Sequence, residues 1–532
     1  MKRISVRRVA SVIVTAMAMT LVFATLGWAM MPQWNTRPYT KHIAIASADT
    51  TITPAHANIP HEGRYRTRET RLSIKTGDGV TLPAVLREPV DAPGPRPACL
   101  FIHGSGTSGA EDFGDIANAM ASAGIVTLVP AKRNDNYTVL HRDYPRFARE
   151  YGRSLDVLRG ISGVDPAKTG IYAESEGTWI ATILTSKRQD IAFAILTSAP
   201  VFNGREQMAM AVSAYTHEAG APKPVVKDMA KLMSLDYAPF DLAYADFDAD
   251  RYLKSLTMPV LVNYGTYDTA MPIEQGAQRI IATANKSGNE NVTVRYFAGN
   301  HQMRLVRLIH PNLPLAEGYT QALENWVNGV TAGTKADGWA TPQVAGATPH
   351  QRFAAPQRTR SGIVGSLGVL AGLMVAGPVL IVMAAILGIG LTVFSWLQTL
   401  LAGRRSVATV RAMHATPSGL GAAQQRTLHG IAGLSAGIGT AVMVITGLLY
   451  GYMSAVGVSA VLVMPQLRLF AVGWVVLRIA TMLLVVLFAW EMERVWYCRA
   501  DIVGVRRVIC VMVALGTLAT LMTLAFWGLF SL

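Results

Sequence analysis

Apolar positions fall into distinct regimes along this chain. From about residue 67 to 329, short apolar runs alternate with amphipathic segments, a pattern that predicts a mostly parallel sheet covered by helices. Runs at 71–74 and 80–87 flank the turn Gly77-Asp78-Gly79 and read as an opening hairpin. Strands are expected at 98–102, 125–129, 169–173, 191–197, 259–264 and 292–297. Helices are expected over 113–123, 142–161, after Gly177, 274–284 and 315–327. This succession needs right-handed crossovers and places loops at the carboxyl ends of the strands, where sites in open α/β sheets lie. The interval 203–256 reads as an inserted cap. Its Met208, Met210, Met229 and Met233 fit ordinary helix packing, with an adaptable acyl pocket as the sharper alternative.

Two further regimes are apolar. Residues 9–31 follow the basic leader Lys2, Arg3, Arg7 and Arg8 and are numerous enough to cross a bilayer. Residues 1–31 are therefore a signal peptide or a signal-anchor span, and 32–66 an exported linker. Beyond 363 the chain is almost continuously apolar, with spans expected at 372–402, 431–453, 469–490 and 508–530. The run 363–402 has room for two short spans, but charge favours one. A single span puts Arg404, Arg405, Arg411 and Arg426 on the inner side, together with Arg494, Arg499, Arg506 and Arg507. The 67–330 domain and the C-terminus are then expected on the exoplasmic (periplasmic) face of the cytoplasmic membrane. Segment 331–362, rich in Ala, Thr, Pro, Gly and Gln and without periodicity, reads as a flexible linker.

Within the spans, the pairs Gly368/Gly372, Gly433/Gly437 and Gly447/Gly451 have a spacing that lets helix backbones approach closely; it is common in glycine-rich membrane helices and supports a packed bundle and nothing more. Arg478 sits mid-span with no acidic partner in any span, and either bonds backbone carbonyls or snorkels to the interface, or meets an anionic lipid or substrate. The net charge of +14 is thus topological, which argues against nucleic acid as the partner. Cys99, Cys498 and Cys510 suggest no disulfide and no zinc spacing. No nucleotide, flavin or metal motif occurs, so neither cofactor nor metal is expected.

The chemistry gathers at strand ends. Ala173-Glu174-Ser175-Glu176-Gly177 lies between a predicted strand and a predicted helix, with small residues two before and two after a candidate nucleophile. His103-Gly104-Ser105-Gly106 follows the strand at 98–102 and offers the Ser105 N–H as one oxyanion donor, the Glu176 N–H being the other. Asp268 follows the strand at 259–264, and His301 follows the strand at 292–297. Ser175, Asp268 and His301 in that order meet the needs of a triad: His301 takes the serine proton, and Asp268 fixes its tautomer. Glu174 and Glu176 flank the nucleophile. They either pair with nearby Arg or Lys, or select substrates that carry an amine or several hydroxyls.

These motifs resemble the α/β-hydrolase superfamily, nearest its dienelactone-hydrolase-like and acyl-peptidase-like serine hydrolases. The resemblance rests on Phe101-Ile102-His103-Gly104-Ser105-Gly106, Ala131-Lys132-Arg133, Ser175-Glu176-Gly177-Thr178-Trp179-Ile180, Ala192-Phe193-Ala194-Ile195-Leu196, the Asp268 loop and His301. It covers about half the chain. It implies an eight-stranded sheet with helices on both faces and hydrolysis through an acyl-enzyme. The acidic residues on both sides of Ser175 depart from the family pattern, which has His or a small polar residue before the serine and Gln or a small residue after it. The expected whole is an α/β-hydrolase domain fused to an all-α transmembrane bundle. Such a protein cleaves an ester, thioester or amide of a small-molecule, lipid or envelope substrate. An envelope acyltransferase using the same triad is an alternative, as is a transporter or signalling protein with a non-catalytic hydrolase-like domain.

Overall fold

The computed structural model describes residues 6–32, 34, 36–138, 141–237, 242–306, 313–356, 362–402, 422–462 and 464–531. Lys2 and Arg3 of the basic leader, and Arg404, Arg405, Arg411 and the side chain of Arg426 from the inner cluster, lie outside the described residues. The chain forms two compact units, one from 35–214 and 240–358, the other from residues up to 34, 215–239 and 359 onward. Helix α1 (Val6–Met30) belongs to the second.

The first unit is built on one sheet. Its strands are β1 (Thr67–Lys75), β2 (Thr81–Pro89), β3 (Arg96–Ile102), β4 (Val126–Pro130), β5 (Val164–Glu174), β6 (Ala194–Thr197), β7 (Val260–Gly265), β8 (Val292–Phe297) and β9 (Val344–Gly346). Their spatial order is β1-β2-β4-β3-β5-β6-β7-β8-β9. β1 pairs antiparallel with β2 (Arg71↔Val85) and β2 antiparallel with β4 (Val85↔Val129). From β4 through β3 to β9 every pairing is parallel, with Phe101 of β3 opposite Tyr172 of β5.

Residues 98–102 are wholly buried, because a parallel strand covered on both faces has no polar side to offer. Alternation along it feeds two cores. Leu100, Ile102, Ile171 and Ala173 pack with α3 (Tyr144–Arg159), α4 (Glu176–Lys187) and α8 (Ile273–Lys286) on one face. Cys99, Phe101, Tyr172 and Ile195 pack with α2 (Gly114–Ser122) and α9 (Tyr319–Thr331) on the other.

Segment 331–362, expected to be a flexible linker, instead carries β9, which adds a ninth strand to the expected eight-stranded sheet. The cause is a buried cation. Arg295 of β8 is fully buried, and its guanidinium donates to the carbonyls of Thr50, Thr51, Pro342 and Gln343. A buried guanidinium needs acceptors, and two straps that look featureless in sequence supply them. The same straps meet where the Tyr39 N–H donates to the Arg352 carbonyl at 2.9 Å. Residues 32–66, read above as a linker, are thus partly packed against this unit's sheet.

The cap interval contains α5 (Gly204–Glu218), α6 (Lys223–Lys231) and the short α7 (Asp250–Leu253). It is divided: residues 215–239 form part of the second unit. The methionines follow that division, Met208 and Met210 lying in the first unit and Met229 and Met233 in the second. Met210 is buried under Gln351, whereas Met229 packs on the apolar core of the helical unit.

The second unit adds four long helices, α10 (Leu367–Ala402), α11 (Ala422–Val461), α12 (Leu467–Tyr497) and α13 (Val505–Phe526). Together with α1 these make five helices, among the described residues, long and apolar enough to cross a membrane. Residues 367–402 form one helix, in keeping with the single-span reading. Phe23 of α1 stacks on Phe530 at 5.3 Å, and a side chain at Gly27 would meet the Ala525 carbonyl at 2.5 Å. The close approaches are therefore at Gly27 and between Gly377 and Gly516. A side chain at Gly372, Gly433, Gly437, Gly447 or Gly451, from these pairs, would meet nothing within 4 Å among the described residues. Spacing alone does not say which face of an apolar helix meets a neighbour.

The guanidinium of Arg8 lies 5.0 Å over the Tyr497 ring, and Arg494 reaches Gly430, so these arginines share one end of the helical unit. At the other end the Ile363 N–H donates to Ala29, Gln466 to Ala219 and Asp236 to Gly365. Arg478 donates to the Ser531 carbonyl, the backbone-bonding alternative among those expected. Glu491, expected just beyond a span, lies inside α12 and is buried against Ser435.

Candidate active site

Ser175 occupies the single residue between β5 and α4, with φ 53° and ψ −125°. A non-glycine residue tolerates that backbone only when its surroundings enforce it. Here the Ser175 N–H is held by the Thr197 carbonyl of the neighbouring strand at 2.8 Å. The turn also requires room. A Cβ at Gly177 would lie 2.6 Å from the Ile102 carbonyl oxygen, and one at Gly104 would lie 3.2 Å from the Ser175 Cβ. Both glycines are fixed by close backbone approach. The serine thus stands on a strand-to-helix elbow at the centre of a mostly parallel sheet, five strands having β5 or later numbers and the antiparallel hairpin leading in.

The fold is that of an α/β-hydrolase.

Asp268 and His301 stand on loops leaving the adjacent strands β7 and β8. Those loops are tied together: the Thr266 N–H donates to Phe297 at 2.8 Å and the Tyr267 N–H to Gly299 at 3.0 Å. His301 Nδ1 is 2.7 Å from Asp268 Oδ2, and Asp268 Oδ1 accepts the Ala270 N–H at 3.0 Å. Ser198 Oγ donates to the His301 carbonyl, and Asn300 Oδ1 accepts the N–H groups of Gln302 and Arg304, which shapes the histidine loop. Burial alone would push the His301 pKa down. The neighbouring Asp268 carboxylate outweighs it and raises the pKa above the ordinary imidazole value.

His103 is a different kind of histidine. Burial lowers its pKa to about 4, and its Nε2 lies 3.0 Å from the Pro130 carbonyl, so it is a neutral donor that pins its turn. The Ser105 and Glu176 N–H groups, the expected oxyanion donors, stand on the turn after β3 and at the first position of α4. A first-position helical N–H has no partner within its own helix.

The two flanking acids have separate fates. Glu176 is buried and its carboxylate accepts from Lys132 Nζ at 2.9 Å, Tyr137 OH at 2.7 Å, Arg142 Nη1 at 2.7 Å and Tyr144 OH at 2.9 Å. Burial opposes its ionisation, but Lys132 and Arg142 hold its pKa below the usual carboxylate range. A carboxylate so occupied has little capacity left to select a cationic substrate. Glu174 is also buried, and burial pushes it up to about 7 against the pull of His301 and Arg304. Of the residues around Glu176, Lys132 was visible in sequence only as part of a resembling tripeptide. Tyr137, Arg142 and Tyr144 carried no signal, since what brings them together is the path of the chain after β4.

No family model matches this chain, and no curated protein sequence matches it. Among solved structures it is similar to 2,6-dihydroxy-pseudo-oxynicotine hydrolase, at 15% identity over 53% of this chain and 71% of that one, with a TM-score of 0.36. Est1E from Butyrivibrio proteoclasticus is similar at 16% identity over 49% and 99%, TM-score 0.35. Brefeldin A esterase is similar at 15% identity over 61% and 85%, TM-score 0.34. The fold follows from the strand order and the elbow.

Proposed function

We propose that this protein is a membrane-embedded serine hydrolase that cleaves an ester, thioester or amide through an acyl-enzyme. The observation that carries the reading is the coincidence of a strained serine between β5 and α4 with a His301–Asp268 pair at 2.7 Å on neighbouring loops. In the proposed reaction Ser175 Oγ attacks the substrate carbonyl carbon while its proton passes to His301 Nε2. The carbonyl electron pair moves onto oxygen, which accepts from the Ser105 and Glu176 N–H groups. Collapse expels the leaving group with the proton from His301, and water repeats the sequence to release the acid. Asp268 supports the imidazolium without taking its proton.

Five apolar helices support embedding in a bilayer, and the packing of Phe23 against Phe530 favours retention of α1 as a span. Arg8, Arg494 and Tyr497 gather at one end, which by the positive-inside bias is cytoplasmic. The exoplasmic assignment of the hydrolase domain follows from that bias. The test is pre-steady-state hydrolysis of p-nitrophenyl butyrate by the full chain in detergent. A burst of nitrophenol that Ser175→Ala abolishes is expected; hydrolysis that survives Ser175→Ala contradicts the reading.

A further inference from the structure

The buried cluster around Glu176 has a consequence for the oxyanion donors. Lys132 Nζ donates to two groups at once, the Glu176 carboxylate at 2.9 Å and the Gly104 carbonyl at 2.8 Å. The Lys132 main-chain N–H donates to the Ser108 carbonyl at 2.8 Å, so the same residue holds the turn after β3 at both of its ends. Its ammonium also lies 4.2 Å over the Tyr137 ring, and its side chain is 2% exposed. A lysine this buried is not a solvated surface charge.

The Gly104 carbonyl and the Ser105 N–H belong to one peptide plane. In a trans peptide the carbonyl and N–H point in opposite directions, so fixing the carbonyl fixes the aim of the N–H. An ammonium on the carbonyl oxygen also polarises the amide and makes its N–H a stronger donor. The second donor, the Glu176 N–H, belongs to the residue whose carboxylate the same ammonium holds. We propose that Lys132 is a positioning residue of the oxyanion hole, clamping the Gly104–Ser105 peptide and Glu176 so that both N–H groups converge on one oxygen. The proposal rests on Ser175 being the nucleophile. It also gives Glu176 a role other than substrate selection: it is the anchor that holds Lys132 in place. Together Lys132 and Arg142 outnumber the carboxylate, so the acid beside the nucleophile places no net negative charge next to a developing oxyanion.

The test compares the full chain in detergent with Lys132→Met, Lys132→Arg and the double variant Lys132→Met/Glu176→Gln. Its probes are p-nitrophenyl butyrate and a trifluoromethyl ketone, which adds Ser175 Oγ to its carbonyl and leaves the charge on the hole's oxygen. Loss of donor alignment lowers kcat about tenfold to a hundredfold in Lys132→Met. KM stays within about threefold, and ketone affinity falls in the same proportion as kcat. Lys132→Arg retains part of the activity. Thermal melting identifies the folded variants, and the double variant covers the case in which an under-partnered Glu176 prevents folding of the single one. A folded variant without the ammonium that keeps kcat and ketone affinity within about twofold of the wild type overturns the proposal, as does recovery of both in the double variant. A wild-type chain that never forms an acyl-enzyme sinks the hydrolase reading, a separate outcome.

Discussion

His301 and Asp268 share a 2.7 Å contact although their loops leave different strands, and the contact raises the imidazole pKa above its ordinary value. Because the raised pKa belongs to a protonated form that cannot act as base, kcat/KM should climb as pH rises through a midpoint above about 6.5. Asp268→Asn removes the carboxylate that causes the shift. It should move that midpoint down and cut kcat by about 10⁴, as read from pH–rate profiles of the two proteins.

Glu174 provides a stability counterpart. Its folded pKa, about 7, lies above that of a carboxylate in an unfolded chain. Its contribution to stability is therefore fully present below the unfolded value, near 4.3, and is lost as pH rises through the folded value. Glu174→Gln should remove that loss, which is on the order of 3–4 kcal/mol. Its melting temperature should exceed that of the wild type at pH 8–9 and lose the advantage near pH 4. Identical melting curves across that range would contradict the buried-acid account.

Arg295 joins the two straps to the sheet. Arg295→Met leaves the carbonyls of Thr50, Thr51, Pro342 and Gln343 without their donor. Destabilisation of about 2–4 kcal/mol is expected. Limited proteolysis should then cut within 331–356, where the wild type resists.

The divided cap makes the helical unit more than an anchor for its own residues. Val225 and Leu235 are fully buried in the apolar core shared with α10 to α13, and Gly220 packs on Leu467. A chain ending before 359 would expose that surface to water. It should elute as aggregates in size-exclusion chromatography, and replacing 215–239 by a short polar loop should restore a monodisperse peak.

How much of this was legible beforehand depended on the kind of signal. The strand at 98–102 was readable because burial on both faces leaves an unbroken apolar run, and the strand at 292–297 as a mostly apolar run interrupted by Thr293 and Arg295. The candidate residues Ser175, Asp268 and His301 were legible as candidates because each follows an expected strand at a short distance. β9 was not: three small residues have no periodicity, and what orders them is Arg295, about fifty residues earlier in sequence. The helix expected over 315–327 begins later, at Tyr319, because Gly318 precedes it at φ 73°. The partners of Glu176 were invisible for a similar reason, since a buried carboxylate is satisfied by donors that only the folded path assembles. The glycine pairs located no contact, because spacing within an apolar helix names a stripe without saying whether another helix faces it.

Covalent labelling tests the central claim most directly. The full chain in detergent is treated with a fluorophosphonate, digested, and the modified residue mapped by mass spectrometry. The account predicts modification at Ser175, abolished by Ser175→Ala and strongly slowed by His301→Ala. Modification at another serine, or none in a sample that melts cooperatively, would contradict it.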